Sequence, residues 1–147
     1  MKVSTKGRYA LRLMVDLGIN GGDNKYIPLK DVSDRQCISV KYLEQIVTPL
    51  HRAGLVRSTR GAQGGYRLSR SPERYTAGEI LRAIEGSMAP IACLETDINE
   101  CERYEECPTV GFWEGMYKVI SDYMESVTLQ DLIEDHINST VGACTEK

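Results

Sequence analysis

An apolar stripe at helical spacing that runs straight into a basic, glycine-tipped hairpin constrains this chain more than any other stretch. From Ile38 to Leu68 it reads ISVKYLEQIVTPLHRAGLVRSTRGAQGGYRL. Val40, Leu43, Ile46, Val47 and Leu50 recur at i, i+3, i+6, i+7 and i+10, one face of a helix. Ser39 stands where an N-cap belongs and Gly54 where a glycine ends a helix. The other faces carry Ser39, Lys41, Tyr42, Glu44, Gln45, Thr48 and Arg52, a mixture of phosphate-binding and base-reading types. Leu55 to Arg60 then alternates as a short strand, Gly61-Ala62-Gln63-Gly64-Gly65 turns the chain, and Tyr66-Arg67-Leu68 returns as a second strand. This is the layout of a winged helix-turn-helix. Its helix fits a DNA major groove, and its wing reaches the neighbouring backbone or minor groove. A helix packed on a hairpin inside an enzyme is the competing reading.

Charge separates the two. The net charge of −3 looks wrong for a nucleic-acid binder until the chain is divided. Residues 1–75 hold 14 Lys+Arg against 6 Asp+Glu, whereas residues 76–147 hold 4 against 15. A basic half carrying the helix and wing suits DNA binding through that half alone. Neither His51 nor His136 lies near a plausible nucleophile–base pair in sequence, so catalysis is a poor third class. With 41% hydrophobic residues a core needs no disulfides, and no apolar run approaches the roughly 20 residues of a membrane span. The first residues, MKVSTKGRYALRLM, lack the apolar core of a signal peptide, so a cytoplasmic chain with no membrane partner is expected.

Taken in order, Ser4 or Thr5 caps a first helix running to about Gly21. Its Lys6, Arg8 and Arg12 lie in the first two turns, where the helix dipole gives a cation nothing, so an anion such as DNA phosphate is their natural partner. A second helix over Leu29–Arg35 and a turn at Gln36-Cys37-Ile38 complete the tri-helical scaffold. Cys37 is expected as a small buried hydrophobe. Residues 1–75 thus form the DNA-binding domain, ending in a linker, Ser71 to Tyr75. Residues 76–108 form a connecting helix, opened by the capping box Thr76-Ala77-Gly78-Glu79 and stopped by Gly86, and a cysteine loop. Residues 109–138 carry a long helix with the stripe Phe112, Met116, Val119/Ile120, Tyr123 and Val127, then a final helix capped by Thr128. Separated from the first core by the loop, that long helix is expected to pack against its copy in a homodimer, which would present two recognition helices to two half-sites. Residues 139–147, with Cys144, read as a flexible tail without function.

The loop holds Cys93-x7-Cys101-x5-Cys107-Pro108, three thiols within fifteen residues. The tight pairs of structural zinc sites are absent. Wider spacing and a following proline suit an iron–sulfur cluster, whose irons favour thiolate. Three cysteines leave one position open, within reach of Glu95, Asp97, Glu100, Glu102, Glu105 and Glu106. Zinc, a thiol–disulfide switch and cysteines without metal remain as alternatives.

STKGRYAL, ISVKYLEQIV, GLVRSTRGAQGGYRL and TAGEILRAIEG together resemble the Rrf-two family of winged-helix transcriptional repressors, over nearly the whole chain to about His136. The family includes iron–sulfur regulators, nitric-oxide sensors and cysteine-metabolism repressors. The resemblance implies a homodimer on a palindromic operator in double-stranded DNA. It places Lys41, Tyr42, Glu44 and Gln45 toward the major groove and Arg60 to Tyr66, including Gly61, Gly64 and Gly65, in the wing. It implies that Cys93, Cys101 and Cys107 ligate a 2Fe-2S or 4Fe-4S cluster. The histidine that completes the site in the iron–sulfur branch falls at Val110, and the aspartate used by nitric-oxide sensors falls at Arg8. Neither residue can ligate, so the fourth ligand is unassigned. The cysteine-metabolism branch, which lacks the three cysteines, implies the alternative of a metal-free repressor controlled by a protein partner.

Overall fold

The computed structural model describes residues 1–144, and side chains as far as Thr140. Helix α1 spans Thr5–Asn20, with the Ser4 hydroxyl accepting from the Gly7 N–H at 3.0 Å. Helix α2 covers Leu29–Gln36 and α3 covers Val40–Arg52. Strands β1, Val56–Thr59, and β2, Gly65–Leu68, pair antiparallel with Val56 opposite Leu68 and Arg57 opposite Arg67. Helix α4 is Ala77–Glu85, α5 is Val110–Ser126 and α6 is Leu129–Cys144. The architecture is mainly helical with one small hairpin, as the sequence implies.

One core holds the first domain together. Ala10, Leu13, Met14 and Leu17 of α1 face Leu43, Ile46, Val47 and Leu50 of α3, with Leu55 and Val56 closing the side toward the hairpin. Ser39 caps α3 through the Tyr42 N–H at 3.2 Å, and Gly54 takes a φ of +74° just beyond its end. Val40 departs from the expected stripe: it is exposed, because the stripe joins the core only from Leu43 onward. The wing gains a third strand-like partner, since Ile27 and Tyr66 exchange backbone hydrogen bonds at 2.8 and 2.9 Å.

Four further expectations are corrected. Cys37 is exposed rather than buried; it adopts a left-handed φ of +55° that ends α2, turning its side chain away while Ile38 enters the core. The supposed linker residue Tyr75 is fully buried. Its hydroxyl donates to the Leu55 carbonyl at 2.7 Å and accepts from the Ser69 and Arg70 N–H groups at 2.8 and 3.2 Å. The long helix is not isolated from the body: Met124 and Ile120 pack with Leu81, Met88 and Leu11. Helix α6 returns to the main core through Leu129 and Ile133. It also continues to Cys144, so the stretch expected as a tail from residue 139 is helical that far; residues 145–147 lie outside the described part.

Candidate nucleic-acid interface and cysteine hollow

Helix α3 presents Lys41, Glu44, Gln45, Thr48, His51 and Arg52 to solvent. Among the described residues the side chains of Lys41, Glu44 and Gln45 make no hydrogen bond to protein, so they are free to meet a ligand. Ser39 is exposed, but its hydroxyl is committed to the cap. Tyr42 is half-buried, its ring edge-on to Tyr9 of α1 at 5.9 Å and 84°. That contact fixes the ring and leaves only part of it for a groove.

The cations of α1 divide. Arg8 is exposed, bonded only to Thr5 at 3.0 Å, whereas Lys6 is half-buried. Arg12 is spent internally: it lies 5.0 Å over the Tyr9 ring and donates to the side chain and carbonyl of Gln36 at the end of α2. An aromatic and guanidinium chain, Arg12–Tyr9–Tyr42, therefore braces α3 against α1.

At the wing, Arg60, Gly61, Ala62 and Gln63 form the exposed tip, while Gly64, Gly65 and Tyr66 are half-buried at its base. Gly65 has a φ of +153°, and a Cβ there would collide with the Ile27 carbonyl, so this glycine serves the wing's attachment. His51 Nε2 and Ser58 Oγ, 3.4 Å apart, close the corner between α3 and β1. Exposed charges from Lys41 to Arg60 are four cations, with Arg52 and Arg57 joining the two termini of the stretch, against Glu44 alone. Arg57 was not among the expected site residues, and no alternation marks it, since Arg57, Ser58 and Thr59 are all exposed.

The three loop cysteines meet. Cys93, Cys101 and Cys107 line one hollow of about 290 Å³ walled by Ile91, Tyr104, Val110 and Trp113. Desolvation, reinforced by the neighbouring Cys101, pushes the Cys93 thiol up from its usual range. The Thr109 hydroxyl at 3.5 Å, followed by the Thr109 and Val110 N–H groups at the start of α5, pulls the Cys107 thiol down. No carboxylate lines this hollow; Glu95 and Glu100 instead share an adjoining groove with Cys93 and Cys101. Tyr104 donates its hydroxyl to Glu114 of α5, which pushes the phenol pKa up. Among the described residues no group of three or more His, Cys, Asp or Glu is drawn tightly enough together to hold a single metal ion.

The profile of the Rrf2 family, described as iron-dependent transcriptional regulators, matches residues 3–135. The transcriptional regulator CymR of Bacillus subtilis is 40% identical over 132 residues, 90% of this chain and 89% of that protein. IscR of Vibrio campbellii is 37% identical over 136 residues, 92% of this chain and 79% of that protein. The solved structure of T. potens IscR superposes with a TM-score of 0.72 at 39% identity, covering 92% of this chain and 88% of that one. With the winged scaffold, the free polar face of α3 and matches of this extent, the chain belongs to the Rrf2 family of DNA-binding transcriptional regulators, which are not enzymes.

Proposed function

We propose that this regulator is a cytoplasmic, homodimeric repressor that senses iron–sulfur status, redox state or nitric oxide through an iron–sulfur cluster on Cys93, Cys101 and Cys107. The observation that carries the reading is the convergence of three thiols on one hollow at the start of α5, from a loop whose 3-10 turns Ala92–Leu94 and Tyr104–Glu106 hold Cys93 and end at Cys107. The donor set fits the group: three soft sulfur ligands line one apolar-walled space. When bound, such a cluster supplies an oxidisable centre whose loss alters the loop. Thr109 and the N-terminus of α5 favour the thiolate of Cys107, and Trp113 and Ile91 limit access of water.

The dimer is supported by α5 itself. Its Ile120 and Met124 face the body, whereas Phe112, Val119 and Tyr123 remain 66%, 69% and 70% exposed, a stripe too apolar to suit solvent. A change in the hollow would then pass along α5 to the spacing of two recognition helices on a palindromic operator. Lys6, Arg8, Ser39, Lys41, Tyr42, Glu44, Gln45 and the wing from Arg60 to Tyr66 form the proposed DNA surface.

One observation favours a second reading, a metal-free repressor of cysteine or sulfur metabolism under a thiol switch or a protein partner. Cys93 and Cys101 line both the hollow and the groove beside it, so the two thiols face the same space. Anaerobic purification followed by visible absorption, with iron and sulfide analysis, separates the two. A brown protein whose colour is lost in Cys93→Ala supports the cluster. A protein colourless even after reconstitution removes it and leaves the thiol switch or the partner.

A further inference from the structure

Behind the wing lies a hollow of about 390 Å³ between the end of α1, the base of the hairpin and the turn at Pro72. Three arginines line it: Arg57, Arg67 and Arg70. Arg70 is already neutralised, paired with Glu79 and stacked 4.3 Å over the Tyr75 ring. The other two are not. Arg57 and Arg67 stand directly opposite on the β1–β2 ladder, so their side chains leave from the same face. Like charges in that position repel and weaken a hairpin unless a counter-charge joins them. Among the described residues neither forms an ion pair, and Asp23, the one carboxylate lining the hollow, pairs with neither. The Arg67 guanidinium lies 4.9 Å from the centre of the Tyr26 ring, and its Nε is buried without an acceptor. The Ser69 and Ser71 residues complete the lining with two hydroxyl groups.

We infer that Arg57 and Arg67 form a site for a tetrahedral phosphate-type oxyanion. Two guanidinium forks and adjacent hydroxyls match the several acceptor oxygens of such a group, and contact with Tyr26 fixes one fork before the ligand arrives. The oxyanion comes either from the DNA backbone beside the wing, which rests on the DNA-binding reading above, or from a free phosphate-type ion.

The test compares wild type with the double variant Arg57→Gln, Arg67→Gln. One arm measures binding to a mixed-sequence DNA duplex across a salt series. A DNA source lowers affinity for every sequence and flattens the logarithmic salt slope by about 1. The other arm, without DNA, measures thermal unfolding in inorganic phosphate against chloride at equal ionic strength. A free-ion source raises the wild-type Tm in phosphate and leaves the variant unmoved. If the variant matches wild type in both arms, the site is overturned. If wild type binds no DNA at all, the regulator's proposed DNA surface fails while the phosphate arm still decides this site.

Discussion

Asp16 of α1 accepts both forks of the Arg35 guanidinium of α2, Nε to Oδ2 at 3.0 Å and Nη2 to Oδ1 at 2.7 Å, with the carboxylate 2% exposed and the guanidinium 39%. Gln36 adds a third donor at 3.0 Å. The hydrogen bond to Asp16 is also the chief reason that the Arg35 pKa is raised. Since α2 ends at the turn into α3, this pair helps set how α2 and the turn into α3 sit against α1. The two partners are unequal, because Arg35 can find water and Asp16 cannot. Arg35→Ala, which strands a buried carboxylate, is expected to cost about 2–3 kcal/mol, below the full penalty of a wholly buried pair. Asp16→Asn, which keeps an acceptor and leaves a guanidinium near water, is expected to cost less. Urea unfolding of both variants checks the order; equal losses would remove the asymmetry.

Tyr75→Phe is expected to destabilise by about 1–3 kcal/mol, because it leaves the Arg70 N–H without its acceptor and the Leu55 carbonyl and Ser69 N–H with only their 3.3 Å bond to each other beside a fully buried ring. The ring volume is unchanged, so the loss reads hydrogen bonding alone. Guanidinium titration measures it, and a variant as stable as wild type would contradict the network.

Gly65→Ala should damage the wing rather than the whole domain. Its Cβ meets the Ile27 carbonyl, and moving either chain breaks the paired hydrogen bonds between Ile27 and Tyr66. A loss of roughly 1–3 kcal/mol is expected from the strained backbone. Amide exchange at Ile27 and Tyr66 should rise well before exchange in α1; protection at wild-type levels would show that the wing relaxes around the methyl.

The junction of α4 and α5 carries a weak acid dependence. Burial alone would raise the Glu125 pKa, but Arg82 and the Thr76 hydroxyl outweigh it and the net shift is downward. A carboxylate with a depressed folded pKa stabilises above its unfolded value, about 4.3, and loses that contribution as pH falls through the folded one. Wild type should therefore exceed Glu125→Gln in stability at pH 7 and converge with it as the pH falls through the depressed folded pKa. Because Glu125 is 44% exposed, the gap should stay under about 1 kcal/mol. A gap that widens in acid would reverse the assignment.

Arg60 stands exposed at the wing tip with no partner among the described residues. If the wing meets backbone phosphate, Arg60→Ala weakens DNA binding and lowers the salt slope by about 1. An unchanged slope would take the tip out of the interface.

The helices, the hairpin and much of the proposed DNA face were legible because their causes are local. Ser4, Ser39 and Thr76 cap the N–H groups of residues three positions on, and the spacing from Leu43 to Leu50 makes a stripe whatever it packs against. Lys41, Glu44 and Gln45 face solvent because they lie off that stripe. Val40 shows the limit: it obeys the period but sits at the first turn, beyond the reach of the core. Tyr42 was legible as off the stripe, whereas its contact with Tyr9 was not, since nothing near either residue names the other.

By itself, then, the sequence determined the order and type of the elements, the polarity split between the two halves, and the family. Only tertiary structure decided that Tyr75 is core, that Cys37 is exposed, that α5 has one face on the body and one free, and that three cysteines share a hollow. The physical reason is range. Capping and helical periodicity act over a few residues and leave a pattern in the chain, whereas burial depends on which distant segments arrive at the same place. Tyr75 is buried because the Leu55 carbonyl and α6 come to it, and no spacing around residue 75 records that.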